Sequence, residues 1–168
     1  MAITRLNHAV LYVRDAERSA AFYEDALGFR RVMSTPGAVF LQASGSTNDH
    51  DLGLFSVGEA AGPSEAGRRT VGLYHLAWEV DTLDELERVA AVLTGRRALV
   101  GASDHGSTKA IYARDPDGIE FEVSWLVPAD LLDDEATTAR STIRPLDLER
   151  EKARYGATTR GGIGVSIP

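Results

Sequence analysis

The sequence predicts an α+β fold in which one unit, a strand followed by a helix and two or three further strands, is written twice. Three observations predict it. Leu6–Val13 (LNHAVLYV) and Leu73–Val80 (LYHLAWEV) share a leucine, one residue, a histidine, and an alternating apolar run closing on valine. Gly28 follows His8 at the same offset as Gly95 follows His75, and each interval holds a stretch with helical apolar spacing. Short β-rich segments then follow each glycine. A three- or four-stranded sheet with one helix leaves a face uncovered, so two such units are expected to pair their sheets around a shared cavity.

In the first unit, Leu6–Val13 reads as a strand, and Asp15 as the N-cap of a helix with Ala16, Ala20, Tyr23 and Leu27 on one face. Gly28 stands where the helix end needs a left-handed residue, and strands are expected at Ala38–Ala43 and Asp51–Val57. Residues 58–70, rich in Gly, Ala and Ser, read as a linker. In the second unit, Leu73–Val80 is a strand, and Thr82 with Glu85 has capping-box spacing. Leu83, Leu86, Val89, Ala90 and Leu93 form the apolar stripe, and Gly95 is the expected left-handed cap. Strands are expected at Leu99–Val100, Lys109–Arg114 and Ile119–Val127, the last two joined by a type I turn at Asp115-Pro116-Asp117-Gly118.

These elements give one domain over residues 1–127, with module one at 3–57, the linker at 58–70 and module two at 71–127. Residues 128–168 form a C-terminal extension expected to wrap the body or a partner subunit. It holds a short helix near Leu146–Tyr155 and a flexible end, GATTRGGIGVSIP; Asp133-Asp134-Glu135 reads as solvated surface or a helix start.

Composition removes several function classes. The 168 residues include no cysteine, which excludes a disulfide scaffold, a thiolate metal site and a cysteine nucleophile. A metal must then be held by histidine nitrogen and carboxylate oxygen. The net charge of −7 and the isolated arginine pairs argue against nucleic acid or an anionic membrane as partner. No apolar run approaches the roughly 20 residues of a membrane span. The N-terminal stretch enters an alternating pattern at once, so a cytoplasmic location is expected.

Strand alternation places Leu6, His8, Val10 and Tyr12 on one face, and Leu73, His75, Ala77 and Glu79 on the equivalent one. Pseudo-twofold symmetry would turn the two imidazoles toward each other. On the last strand Glu120, Glu122 and Ser124 share the face opposite Ile119, Phe121, Val123 and Trp125. Two imidazoles and one of these carboxylates form the facial donor set of non-haem Fe(II), with positions left open; Mn(II), Zn(II) and Ni(II) take the same donors. His50, opening HDLGLFSV, and His105, in SDHGSTK ahead of the strand carrying Tyr112, are candidates for moving protons near neutral pH. Trp78 and Trp125 fall opposite His75 and Glu122 and read as packing under the helices.

Phe22-Tyr23 through Leu27-Gly28-Phe29, the second histidine strand, and Tyr112 through Asp115-Pro116-Asp117-Gly118 to Glu122 together resemble the vicinal oxygen chelate superfamily of glyoxalase I, extradiol dioxygenases and bleomycin-resistance proteins. The resemblance covers Ile3 to about Leu126. It implies two βαβββ modules forming a half-barrel around a metal, with His8, His75 and Glu122 as ligands; the step from Asp115 to Glu122 is what selects Glu122 over Glu120. Asp104–Lys109 leading to Tyr112, and Asn48–Leu52, are similar to segments of single-domain catechol-type dioxygenases, which implies His50 as the acid–base group and His105 with Tyr112 as hydrogen-bonding partners of substrate or oxygen. Asp49-His50 stands where that motif often has two adjacent histidines, and Gly53-Leu54 where glyoxalase I has a fourth ligand.

The implied activity is extradiol cleavage of a catechol-like aromatic diol with O2, using Fe(II) or else Mn(II), in a homodimer or larger homo-oligomer. The alternatives are a glyoxalase-like lyase or isomerase, and a non-catalytic resistance protein trapping an aromatic molecule between Trp78, Trp125, Phe40 and Tyr112.

Overall fold

The computed structural model describes residues 2, 3, 5–66 and 69–162. Its contacts divide into two units, one ending at Glu65 but including the turn Asp115–Ile119, the other holding the rest.

The first unit is a four-stranded mixed sheet with one helix. In chain order it holds β1 (Ala9–Val13), α1 (Ala16–Leu27), β2 (Arg30–Thr35), β3 (Ala38–Gln42) and β4 (Leu52–Ser56). The sheet order is β1-β4-β3-β2, with β1 parallel to β4 and the other pairs antiparallel. Asp15 caps α1 by accepting from the N–H groups of Glu17 and Arg18, and Gly28 closes it with φ +70°. Ala16, Ala20 and Tyr23 are buried as expected, joined by Phe22 and Ala26, and α1 packs on β3 and β4.

Two expectations need correction here. The first strand starts at Ala9, not Leu6, so Leu6, Asn7 and His8 precede it. Its partner β4 begins at Leu52. The segment before that folds on itself instead of extending: the Asp51 carboxylate accepts from Ala43 N–H, Ser46 Oγ and Asn48 Nδ2 at 2.7–2.8 Å. Residues 6–8 therefore have no strand to pair with. The other correction is β2, an edge strand whose residues are exposed except for half-buried Val32, and which therefore carries no burial alternation to announce it.

The turn at Asp115–Ile119 forms as expected, with Gly118 at φ +82° and its N–H donating to the Asp115 carbonyl at 3.0 Å. The Asp115 carboxylate also accepts from the N–H groups of Asp117 and Ile119, and the Tyr23 hydroxyl reaches it at 3.5 Å. Asp117 meets Arg14 at 2.8 Å and Arg18 at 2.9 Å. Burial, with the Asp115 charge added, pushes the Tyr23 phenol well above its ordinary pKa. Because its folded pKa is the higher one, this group stabilises the fold fully below about pH 10, and that stability drains away as pH rises. Denaturant unfolding followed between about pH 8 and 11 should show a downward slope in wild type that Tyr23→Phe flattens.

The second unit repeats the order: β5 (Leu76–Glu79), α2 (Leu83–Gly95), β6 (Leu99–Asp104), β7 (Thr108–Arg114) and β8 (Glu120–Leu126). The sheet runs β5-β8-β7-β6, again with one parallel pair, β5 with β8. Thr82 caps α2 through the Glu85 N–H at 3.2 Å, and Leu83, Leu86, Val89 and Leu93 are buried. Gly95 is not the left-handed cap; it is the last helical residue, and Arg97 takes φ +57°. Ala98 N–H returning to the Leu93 carbonyl at 2.9 Å closes the helix two residues later than expected.

The extension belongs to this second unit. A 3-10 turn (Ala129–Leu131) leads to α3 (Asp134–Ala139) and α4 (Leu148–Tyr155), capped by Asp133 and Asp147. Thus Asp133-Asp134-Glu135 is a helix start, and the helix expected near Leu146–Tyr155 packs on α2. The expected flexible end is pinned where it is described: Gly161 N–H donates to the Asp81 carbonyl at 2.8 Å, and the Thr159 carbonyl accepts from Trp125 Nε1 at 3.2 Å. Residues 163–168 lie outside the described residues. Among the described residues no helix is long and apolar enough to cross a membrane.

Candidate metal centre and its proton-handling groups

The parallel pairing of β5 with β8 sets Ala77 beside Glu122 and so brings His75, one residue ahead of β5, against the same carboxylate. His75 Nε2 and Glu122 Oε2 are 3.3 Å apart. Two donors on one cation, each bonded at about 2.1 Å with an angle near 100°, stand about 3.2 Å apart, so the pair fits shared coordination. Among the described residues, the buried His75 Nδ1 has no hydrogen-bond partner. Glu120, the other carboxylate on this face, turns to Arg114 at 3.5 Å instead.

Tyr112 lies beside Glu122 in the β7–β8 ladder, and its ring centroid is 5.7 Å from that of His75. Its hydroxyl lies 3.2 Å from His105 Nε2 and 3.3 Å from Ser103 Oγ, which is itself 2.8 Å from the same His105 nitrogen. Burial pushes the Tyr112 phenol up and the Glu122 charge adds to it, while the Ser103 bond pulls the other way. Gly101, opposite Tyr112 in β6, leaves the ring open: a Cβ there would come no nearer than 3.9 Å. Ser103 is a member that sequence reasoning missed, because β6 was expected to stop at Val100; the alternation of Gly101 and Ser103 on the face of Tyr112 was the available signal.

The first unit assembles its own group. His8, exposed just ahead of β1, has its ring centroid 4.6 Å from that of His50. Asn7 Oδ1 lies 2.7 Å from His8 Nδ1, and Asn48 Nδ2 donates to the Asn7 carbonyl at 2.7 Å, tying the two histidine segments together. His50 is flanked by Asp49, 2.9 Å from Nδ1, and by the Phe40 ring at 5.2 Å. Gly53 in β4 offers no donor; Val10 and Phe40 stand where its Cβ would meet them at 3.4 and 3.5 Å.

Among the described residues no three His, Asp or Glu side chains are grouped so as to hold a metal ion. Trp125 is placed as packing, as expected, and not as a wall of an aromatic trap. Trp125 is fully buried with its ring 5.6 Å from Tyr155 of α4, and so cannot touch a ligand on the Glu122 face.

Two open four-stranded sheets, each with one helix and one parallel outer pair, define a duplicated βαβββ fold. The chain belongs to the glyoxalase/bleomycin resistance protein/dioxygenase superfamily, whose family model matches residues 5–123. It is 31% identical over 121 residues to a catechol-2,3-dioxygenase of Bacillus subtilis (strain 168), a match covering 71% of this chain and 41% of that protein. It is 27% identical over 125 residues to a manganese-dependent 2,3-dihydroxybiphenyl 1,2-dioxygenase of Geobacillus genomosp. 3, covering 72% of this chain and 36% of that one. The chain therefore spans well under half the length of either relative. The crystal structure of a lactoylglutathione lyase from Agrobacterium tumefaciens superposes with TM-score 0.56 at 23% identity, over 74% of this chain and 95% of that one, and shares the fold.

Proposed function

We propose that the protein is a metal-dependent extradiol dioxygenase that opens the ring of a catechol-like diol with O2. The observation that carries this reading is the His75–Glu122 pair at 3.3 Å with Tyr112 and His105 linked beside it. The dioxygenases among the relatives support it, one of them manganese-dependent. Gly53 supports it too, since the isomerase branch needs a donor where Val10 and Phe40 stand.

In this reading His8, His75 and Glu122 hold the metal. Bound there, Fe(II) or Mn(II) would supply open positions for diol and dioxygen and lower the pKa of the diol hydroxyls. The chain's own work is then to place the ring and move protons. Tyr112 presents its hydroxyl beside the carboxylate, and His105 Nε2, 3.2 Å away, is within reach to accept a proton from it and return it. Ser103 Oγ holds that imidazole nitrogen in direction. His50 is the second proton carrier, oriented by Asp49 as a carboxylate orients a general base.

Protein loaded anaerobically with Fe(II), and separately with Mn(II), should take up one O2 per diol consumed when a panel of catechols is tested with an oxygen electrode. Absence of uptake with every diol and either metal rejects the reading. Consumption of a thiol adduct with Ni(II) or Zn(II), without oxygen demand, would replace it by the isomerase one.

A further inference from the structure

We propose that the C-terminal extension is a positioning element for His105, acting through Glu151 and Lys109 on one side of the β6–β7 turn and through α3 on its tip. The inference rests on the reading of His105 as a proton carrier. The turn itself is short: His105 N–H donates to the Thr108 carbonyl at 2.9 Å, and Gly106 sits at φ +74°.

Lys109, which follows the turn, is 0% exposed, and alternation points it away from the Tyr112 face. Its Nζ donates to Asp104 Oδ1 at 2.5 Å and lies 2.8 Å from Glu151 Oε2 of α4, a side chain only 2% exposed. Asp104 also accepts from Gly106 N–H at 2.8 Å and pairs with Arg144 at 2.9 Å, and a two-bond backbone bridge joins Asp104 to Arg144. Residues on both sides of His105 are thus fastened to the extension, by the Lys109–Glu151 ion pair out of reach of water and by the Asp104–Arg144 ion pair with its backbone bridge.

The tip is fastened separately. A Cβ on Gly106 would lie 2.2 Å from the Ala136 carbonyl oxygen and 2.9 Å from Ala139 Cβ, so α3 lies directly on this residue. Arg140 Nε donates to Ser107 Oγ at 3.0 Å, and Val127 N–H to the Ser107 carbonyl at 2.9 Å. None of these groups reaches Tyr112 or Glu122 in a hydrogen bond. What they share is the turn, and the turn's one proton-handling side chain is His105, held 2.8 Å from Ser103 and 3.2 Å from Tyr112. A transfer partner displaced by even an ångström loses rate steeply, which gives the fastening a catalytic consequence.

The test uses the full chain with Glu151→Gln, which keeps shape and removes the buried charge, and with Arg140→Ala, an exposed change that leaves the core alone. Val89→Ala, in the buried stripe of α2, is the control for stability loss without touching the turn. In metal-free protein with 15N-labelled histidine, the His105 ring signals should shift or broaden in both variants while those of His8 and His50 stay, and the control should leave all of them in place. In the diol assay both variants should lose about tenfold in kcat, with KM and metal stoichiometry within twofold of wild type. Unmoved His105 signals in both variants overturn the proposal. If wild type consumes no diol, the dioxygenase reading falls by itself, and the ring signals still decide whether the extension positions His105.

Discussion

Glu122→Ala is expected to weaken binding of Fe(II) or Mn(II) by more than about 100-fold, and His75→Ala to do the same, while Glu120→Ala binds as wild type. Outer partners of metal ligands already cost about 10–100-fold when removed, so loss of a donor atom sets a higher floor. The structure separates the two glutamates. Glu122 faces His75 Nε2 at 3.3 Å across the parallel β5–β8 pair, whereas Glu120 is engaged with Arg114 at 3.5 Å. Glu122→Gln keeps the volume and one oxygen donor but no charge, and should fall between the two. Elemental analysis after anaerobic loading, with calorimetric titration of the variants, checks this. Metal retained by Glu122→Ala and lost by Glu120→Ala would exchange their roles and remove the observation on which the dioxygenase reading stands.

His8 completes the proposed donor set, and its variant asks a different question. The first unit holds His8 beside His50 through Asn7 and Asn48, and among the described residues no carboxylate faces His8 as Glu122 faces His75. If His8→Ala removes metal as fully as His75→Ala, the two histidine segments work on one ion, as their repetition in the sequence suggests.

That repetition is why so much of the fold was legible. Alternation put Val10 and Tyr12 together on one face of the first strand, and the structure exposes that face and buries Leu11 and Val13 on the other; the caps at Asp15 and Thr82 were written in side chains that act locally, and that at Gly28 in its left-handed backbone. What escaped reading depends on contacts distant in sequence. The first strand stops short because Asp51 gathers its own loop, β2 is an exposed edge, and the left-handed position moved from Gly95 to Arg97 because α2 closes on Ala98. The candidate site divides the same way. His75, Glu122, His105 and Tyr112 were legible as motif residues, but Ser103 was hidden by a strand read four residues too short, and the docking of the extension on the His105 turn carries no local pattern at all.

The extension also carries a large stability effect. Lys109→Met should destabilise the protein by about 3–5 kcal/mol, because it leaves buried carboxylates without their cation. For a chain of this size that corresponds to a drop in Tm of about 10 °C. Among the described residues, Glu151, 2% exposed, would keep only the Arg150 ion pair at 3.9 Å, while Asp104 would keep Arg144 and the Gly106 N–H. The asymmetry makes a second variant informative. Lys109→Met with Glu151→Leu removes both members of the poorly compensated pair and should recover most of the loss, since apolar groups of similar volume often replace a buried ion pair at no net cost. Acid unfolding gives an independent reading. Burial alone would raise the Asp104 carboxyl, but Lys109, the Gly106 N–H and Arg144 hold it below its ordinary value. Its contribution is therefore present above about pH 4 and is lost as pH falls through the lower folded value, so wild type should show an acid slope that Lys109→Met makes shallower. A single variant as stable as wild type, or a double variant no better than the single, would mean that solvent reaches this cluster and that the extension is held by its apolar contacts around Trp125 and Tyr155 instead.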